Sequence, residues 1–198
     1  MKYSEIDERK KAFMFELDNV IYPEKDYLFQ VYYLFASFME YTALLNAKAM
    51  TDLMVNTFHE EGKDKVFDKI KHQFAIDEKY RLNFHHLMYT VKLPLKLLIY
   101  QNTLDMLQEI VVDRKKIFIV TNGNPALQLN KIRQTEWHGL EQYLTCYFAE
   151  EIKPMPEPDV IHQLINEHGV ERRDIVMIGR SAESKDCAEA CGIDYYSV

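Results

Sequence analysis

Four stretches of the chain carry side chains suited to chemistry on an anionic substrate. Glu16 and Asp18 stand two residues apart at the end of an apolar run, AFMF (12–15). In an extended strand that spacing turns both carboxylates to the same side. Thr121-Asn122-Gly123 follows a second run, IFIV (117–120). Lys153 lies just past a third, LTCYF (144–148), and Gly179-Arg180-Ser181 follows a fourth, IVMI (175–178). Carboxylates attack, exchange protons or hold cations, whereas hydroxyl, ammonium and guanidinium groups grip anionic oxygens.

Something must bring these stretches together. Short apolar runs that stop at polar residues read as buried strands, with a fifth at 193–196 (IDYY). Helical periodicity lies between them: Leu104/Leu107/Val111, then Val160/Ile161/Leu164/Ile165/His168, then Ser184/Cys187/Ala188/Cys191. Strands alternating with such helices predict βαβ units, hence an α/β fold built on a parallel sheet. Ligands of open parallel sheets sit beyond the carboxyl ends of the strands, where all four stretches fall. One crevice is therefore expected to hold them.

Residues 24–98 differ in character. They contain one Gly (Gly62), one Pro (Pro94) and four helical stripes: Leu28/Val31/Tyr32/Phe35/Met39, Met50/Leu53/Met54/Phe58, Phe67/Ile70/Phe74 and Tyr80/Phe84/Leu87/Met88/Val91. This pattern predicts a four-helix bundle (24–98) inserted into a core domain formed by 1–23 and 99–198.

Composition narrows the partners. With 47% hydrophobic residues in 198, the chain can bury a core, which excludes a disordered tract. Its net charge of −7 argues against nucleic acid; Lys115-Lys116 and Arg172-Arg173 are pairs, not patches. Cys146, Cys187 and Cys191 are too few for a disulfide framework, and Cys187/Cys191 read as core packing. His85-His86 has no ligand-spaced acid or Cys nearby and reads as structural. MKYSEIDERKKAFMF lacks the apolar segment of a signal peptide, and no apolar run approaches the ~18–20 residues of a bilayer span. A cytoplasmic protein with no membrane contact is expected, and no protein partner is legible.

Taken in order, FELDNVIYP, VTNGN, EEIKPMPEPDVI and DIVMIGRSAESKDCAEACGI resemble the four motifs of the haloacid dehalogenase-like (HAD) superfamily. Most of its members are Mg-dependent phosphatases. The resemblance spans residues 11 to 198 and puts the inserted bundle where the family carries a C1-type helical cap. It implies a HAD-like, Rossmannoid five-stranded parallel sheet. It also implies a mechanism: one aspartate attacks phosphorus to form an aspartyl-phosphate, and a second, two residues later, handles the leaving-group proton. Mg²⁺, held by the first aspartate and a fourth-motif acid, offsets anionic repulsion, while Thr and Lys hold the phosphoryl oxygens.

Asp18, Thr121 and Lys153 match this pattern, and others depart from it. Glu16 stands in place of the nucleophilic aspartate; its extra methylene moves the carboxylate by ~1.5 Å, and ~1 Å of misplacement can cost ~10²-fold in rate. Arg180 and Ser184 replace the fourth-motif acids, and Asp186 comes two residues too late. Glu16, Asp18, Lys153 and Arg180 together sum to zero charge. A fixed cation ~4 Å from a metal position costs ~4 kcal/mol per unit charge at an effective dielectric of ~20, so no metal cofactor is expected unless Glu16 and other ligands rebuild the site.

The expected function is thus a HAD-like protein with degenerate motifs, little or no Mg-dependent phosphatase activity, and retained binding of a small phosphorylated metabolite or anion. Glu16 and Asp18 are the catalytic candidates; Thr121, Asn122, Lys153 and Arg180 are the phosphate-binding ones. Arg180 is expected to pair with Glu16 or Asp18, ahead of clamping a substrate. Tyr22 or Tyr27 is the aromatic nearest the crevice. The alternative is an active, metal-independent phosphatase with Glu16 as nucleophile and Asp18 as general acid/base. Haloacid dehalogenation is disfavoured, because the family's dehalogenases lack the second acid that Asp18 supplies.

Overall fold

Runs of four to six apolar residues are too short for helices and lack alternation, so they can be buried only as strands covered on both faces. In the computed structural model, which describes residues 2–198, they do so. Strands β1 (Ala12–Phe15), β3 (Lys116–Thr121), β5 (Leu144–Phe148), β6 (Ile175–Gly179) and β7 (Asp194–Ser197) form one parallel sheet in the order β5-β3-β1-β6-β7. β1 lies at its centre, Phe15 registering with Ile119 on one side and Ile178 on the other. A minor pair, β2 (Leu97–Leu98) with β4 (Thr135–Glu136), lies apart. The expected α/β class and five parallel strands are present, each strand within a residue of its expected position.

Ala12 and Met14, Phe118 and Val120, and Ile175 and Met177 alternate onto one face, packed under Val160, Ile161 and Leu164 of α7 (Asp159–His168) and Cys187, Ala188 and Cys191 of α8 (Ala182–Cys191). Leu104, Leu107 and Ile110 on α5 (Gln101–Val112) are buried as well; Ile110, not Val111, completes that stripe. The amino edge of the sheet is tied by Lys10. Its ammonium is buried, donates to the carbonyls of Arg173 (2.7 Å) and Ile175 (2.9 Å), and pairs with Asp194 at 2.7 Å. A buried charge is tolerable because all its donors have partners.

Contacts divide the chain into two compact units, residues 1–24 with 97–198 and residues 25–96. The second is helical: α1 (Glu24–Ala43) is its longest element, followed by α2 (Ala47–Glu61), α3 (Val66–Phe74) and α4 (Tyr80–Thr90). All five members of the α1 stripe are buried. Phe35 is the hub, with its ring 5.0 Å from Phe84 and 6.2 Å from Phe67. On α2, Met50 and Met54 are buried as expected, but Thr57 completes the face in place of Leu53 and Phe58. Its hydroxyl donates to the Leu53 carbonyl at 2.8 Å, so its burial leaves no donor unpaired. Among the described residues no helix is long and apolar enough to cross a membrane.

Candidate functional site

Strand β1 ends on Phe15, and the next residues leave the sheet between its neighbours β3 and β6. Glu16 remains extended, its N–H donating to the Ile178 carbonyl, and its side chain is buried against the turn that follows β6. There, both carboxylate oxygens are in use. Oε2 accepts the backbone N–H groups of Arg180 and Ser181 (3.0 Å for the latter), and Oε1 accepts the Ser181 hydroxyl. Ser181 is also the N-cap of α8, its hydroxyl oxygen accepting from Ser184 N–H at 3.1 Å. Glu16 therefore sits at the positive end of a ten-residue helix, where a negative charge is stabilised.

Gly179 makes this approach possible. A Cβ there would lie 2.8 Å from Glu16 Oε2 and 2.5 Å from Ser184 Oγ. Gly179→Ala is expected to cost roughly 2 kcal/mol, within the range for overpacking a core, because the cluster must spread to admit a methyl group. Chemical denaturation checks this; an unchanged midpoint would show that Glu16 is free to move away.

Asp18, two residues on, faces a different set of groups. Its Oδ2 pairs with Lys131 Nζ at 2.7 Å and accepts from Gln128 Nε2 at 3.3 Å, while Oδ1 accepts from the Tyr22 hydroxyl at 3.1 Å. Lys131 and Gln128 project from α6 (Pro125–Gln134), the helix that begins after the Thr121-Asn122-Gly123 loop. The Lys131 side chain is only 2% exposed, and Glu24 lies 3.8 Å from its ammonium. One cation thus answers two carboxylates.

The phosphate-binding candidates fare differently. Thr121 is buried at the end of β3, and its hydroxyl donates to the neighbouring Asn122 carbonyl at 3.2 Å. Asn122 is a brace: its amide donates to the Met155 carbonyl (2.9 Å) and accepts the Met155 N–H (2.8 Å). That reciprocal pair leaves its side chain committed to the 153–156 loop. Lys153 is 58% exposed and pairs with Asp159 at 3.0 Å, the solvated-loop arrangement. The expected Arg180 ion pair is overturned. The residue is exposed, its guanidinium has no carboxylate partner among the described residues, and its backbone N–H is what meets Glu16. An exposed guanidinium keeps its hydration, which an internal pair would remove.

Three further expectations can be placed. Ser184 is fully buried on α8, where its hydroxyl donates to the Ser181 carbonyl at 3.0 Å, whereas Asp186 is exposed on the same helix. Tyr22 and Tyr27 are both fully buried, the Tyr22 hydroxyl on Asp18 and the Tyr27 hydroxyl on the Met88 carbonyl of the helical unit, so neither ring is open to a ligand. Lys131 went unforeseen, although a signal existed. Gln128, Lys131 and Thr135 recur at i, i+3 and i+7, a polar stripe where a core-facing helix should be apolar.

The donor set does not fit a divalent cation. Three of Glu16's roughly four lone-pair sites are taken by N–H and O–H donors, and Asp18 faces an ammonium. Among the described residues no three His, Cys, Asp or Glu side chains gather as ligands. Metal sites of the hard-cation type need several free oxygens on one point.

Similarities to other proteins agree with this architecture. The protein YfnB of Bacillus subtilis, assigned as a HAD-hydrolase and bound to magnesium, superposes with a TM-score of 0.67 at 14% identity, over 95% of this chain and 86% of its own. A protein of Thermotoga maritima assigned as a beta-phosphoglucomutase gives 0.65 at 18% identity, over 94% and 84%. The L-2-haloacid dehalogenase of Xanthobacter autotrophicus, with chloropropionic acid covalently bound, gives 0.54 at 14%, over 96% and 77%. At these identities the likeness concerns the fold. No curated protein matches the sequence. The family model for haloacid dehalogenase-like hydrolases matches residues 13–198, which include Glu16, Asp18 and the strand ends just described, and the chain belongs to that family.

Proposed function

We infer that this chain is a HAD-family protein with little or no Mg-dependent phosphatase activity, whose remaining capacity is to bind a small phosphorylated metabolite or other anion. The observation that carries this reading is the state of Glu16. A nucleophile needs a free lone pair aimed at the reacting atom, and here three donors from the β6–α8 turn hold the carboxylate. Asp18 is similarly engaged: Lys131 and Gln128 occupy its Oδ2 and the Tyr22 hydroxyl its Oδ1, so neither oxygen is aimed at a leaving group. What stays open to an anion is the exposed Arg180 guanidinium, which offers a fork of N–H donors.

The test is turnover of an aryl phosphate and a panel of phosphometabolites, in Mg²⁺ and in EDTA. No turnover in either condition is expected. Magnesium-dependent turnover overturns the reading and restores an ordinary family phosphatase. Turnover indifferent to chelator but lost in Glu16→Gln would instead establish Glu16 as the nucleophile of a metal-free enzyme.

A further inference from the structure

The helical unit presents an apolar surface that its own core does not explain. Helix α1 buries Leu28, Val31, Tyr32, Phe35 and Met39 on one side. On the other, Tyr33, Ser37, Tyr41 and Leu44 follow one another at spacings of four, four and three residues, which puts them on a single stripe. Tyr33 is 56% exposed, Tyr41 90% and Leu44 92%, and Phe38 flanks them, partly open. Apart from the two tyrosine hydroxyls, which can stay at the wet rim, the hydroxyls along the stripe are turned back onto their own helix. The Ser37 hydroxyl donates to the Tyr33 carbonyl at 2.9 Å, and the nearby Thr42 hydroxyl to the Phe38 carbonyl. The centre of the surface can therefore be dried without leaving the Ser37 and Thr42 hydroxyls unpaired.

Leu44 adds an independent observation. It ends α1 in the left-handed region, at φ +56°, a place where glycine or asparagine is at ease and a leucine is strained. The strain gains nothing inside the unit, because the side chain points almost wholly into solvent. A contact made by that side chain outside the unit would account for both features.

We propose that this α1 stripe is the seam of a homodimer, with α1 of a second copy crossing it. The area supports that occupant. Aromatic side chains of this size cover ~200 Å² each, so the four exposed residues offer roughly 500 Å² per protomer. Two such stripes, fully covered, bury about 1,000 Å² in all, the least expected of a biological interface and the size of a weak, reversible one. A stripe centred on a serine is also self-complementary about a two-fold axis. The small side chain lets two helices approach, while tyrosines on either side fill the flanks.

Sedimentation velocity on the full chain between about 1 and 100 µM tests this. The wild type is expected to shift from monomer to dimer within that range. The double variant Tyr41→Glu/Leu44→Asn should stay monomeric throughout, at least tenfold weaker in association. Asn suits the left-handed position, so this variant should retain the wild-type circular dichroism and unfold at an equal or higher temperature. Should the variant lose its fold, Tyr33→Lys repeats the test from the other end of the stripe. A wild type that stays monomeric at 100 µM, or a folded double variant that dimerises as well as wild type, overturns the proposal.

Discussion

Glu16→Ala is expected to lower the unfolding free energy by about 3 kcal/mol, and acetate is expected to restore part of it. The carboxylate accepts two backbone N–H groups and a hydroxyl, and hydrogen bonds to a charged acceptor are worth ~1.5–3 kcal/mol each before water re-enters the gap. Removing it leaves the Arg180 and Ser181 amides as uncompensated donors at a helix N-terminus, a ready-made anion site. Acetate entering the vacated space should then raise stability by about 1.4 kcal/mol at ten times its Kd. The wild type, whose own carboxylate fills that space, should not respond. Urea unfolding with and without acetate, using chloride as the salt control, is the measurement. If Glu16→Ala were as stable as wild type, the carboxylate would not be anchored, and the case against Glu16 as nucleophile would fall with it. Glu16→Gln keeps the shape but turns an amide N–H₂ toward donors, so an intermediate loss is expected.

The second large effect concerns the pair that the sequence hid. Lys131→Met should cost ~3–5 kcal/mol, the range found when one member of a buried ion pair is removed, because Asp18 is left with only Tyr22 and Gln128 and Glu24 loses its nearby cation. Asp18→Asn in the Lys131→Met background should recover much of that loss, because it removes the stranded charge. A double-mutant cycle on unfolding free energies then reads the coupling directly, with ~2 kcal/mol expected for groups 2.7 Å apart. Strictly additive losses would mean that each residue is held by other neighbours, and the Asp18 carboxylate would again be free to meet a substrate.

Much of the architecture was legible because its causes are local. Apolar runs such as AFMF and IVMI leave no polar face, so they must be covered on both sides, and the helical periodicity between them dictates parallel crossovers. The α8 stripe Ser184/Cys187/Ala188/Cys191 was readable to the residue for the same reason, and all four are buried. Where a polar residue takes part in packing, the reading failed locally. Thr57 replaced apolar neighbours on α2 because a hydroxyl that bonds its own helix can be buried like a methyl group.

The site divides along the same line. From the sequence alone come the family motifs, their placement at the carboxyl ends of four strands, and the departures at 16, 180 and 184. What the sequence could not decide is where long side chains point. A lysine spans several ångströms with free rotations, so its position in a motif does not say whether its charge lies inside the crevice or in water. Tertiary structure put Lys153 on Asp159 in solvent and brought Lys131, 113 residues from Asp18 in sequence, into a buried pair with it. It also sent the Arg180 guanidinium outward and used the backbone N–H instead, because a hydrated cation is cheaper to leave in water than to bury. Strand order and motif are set by short-range pattern; which charge meets which is set by burial, and burial exists only once the chain has folded.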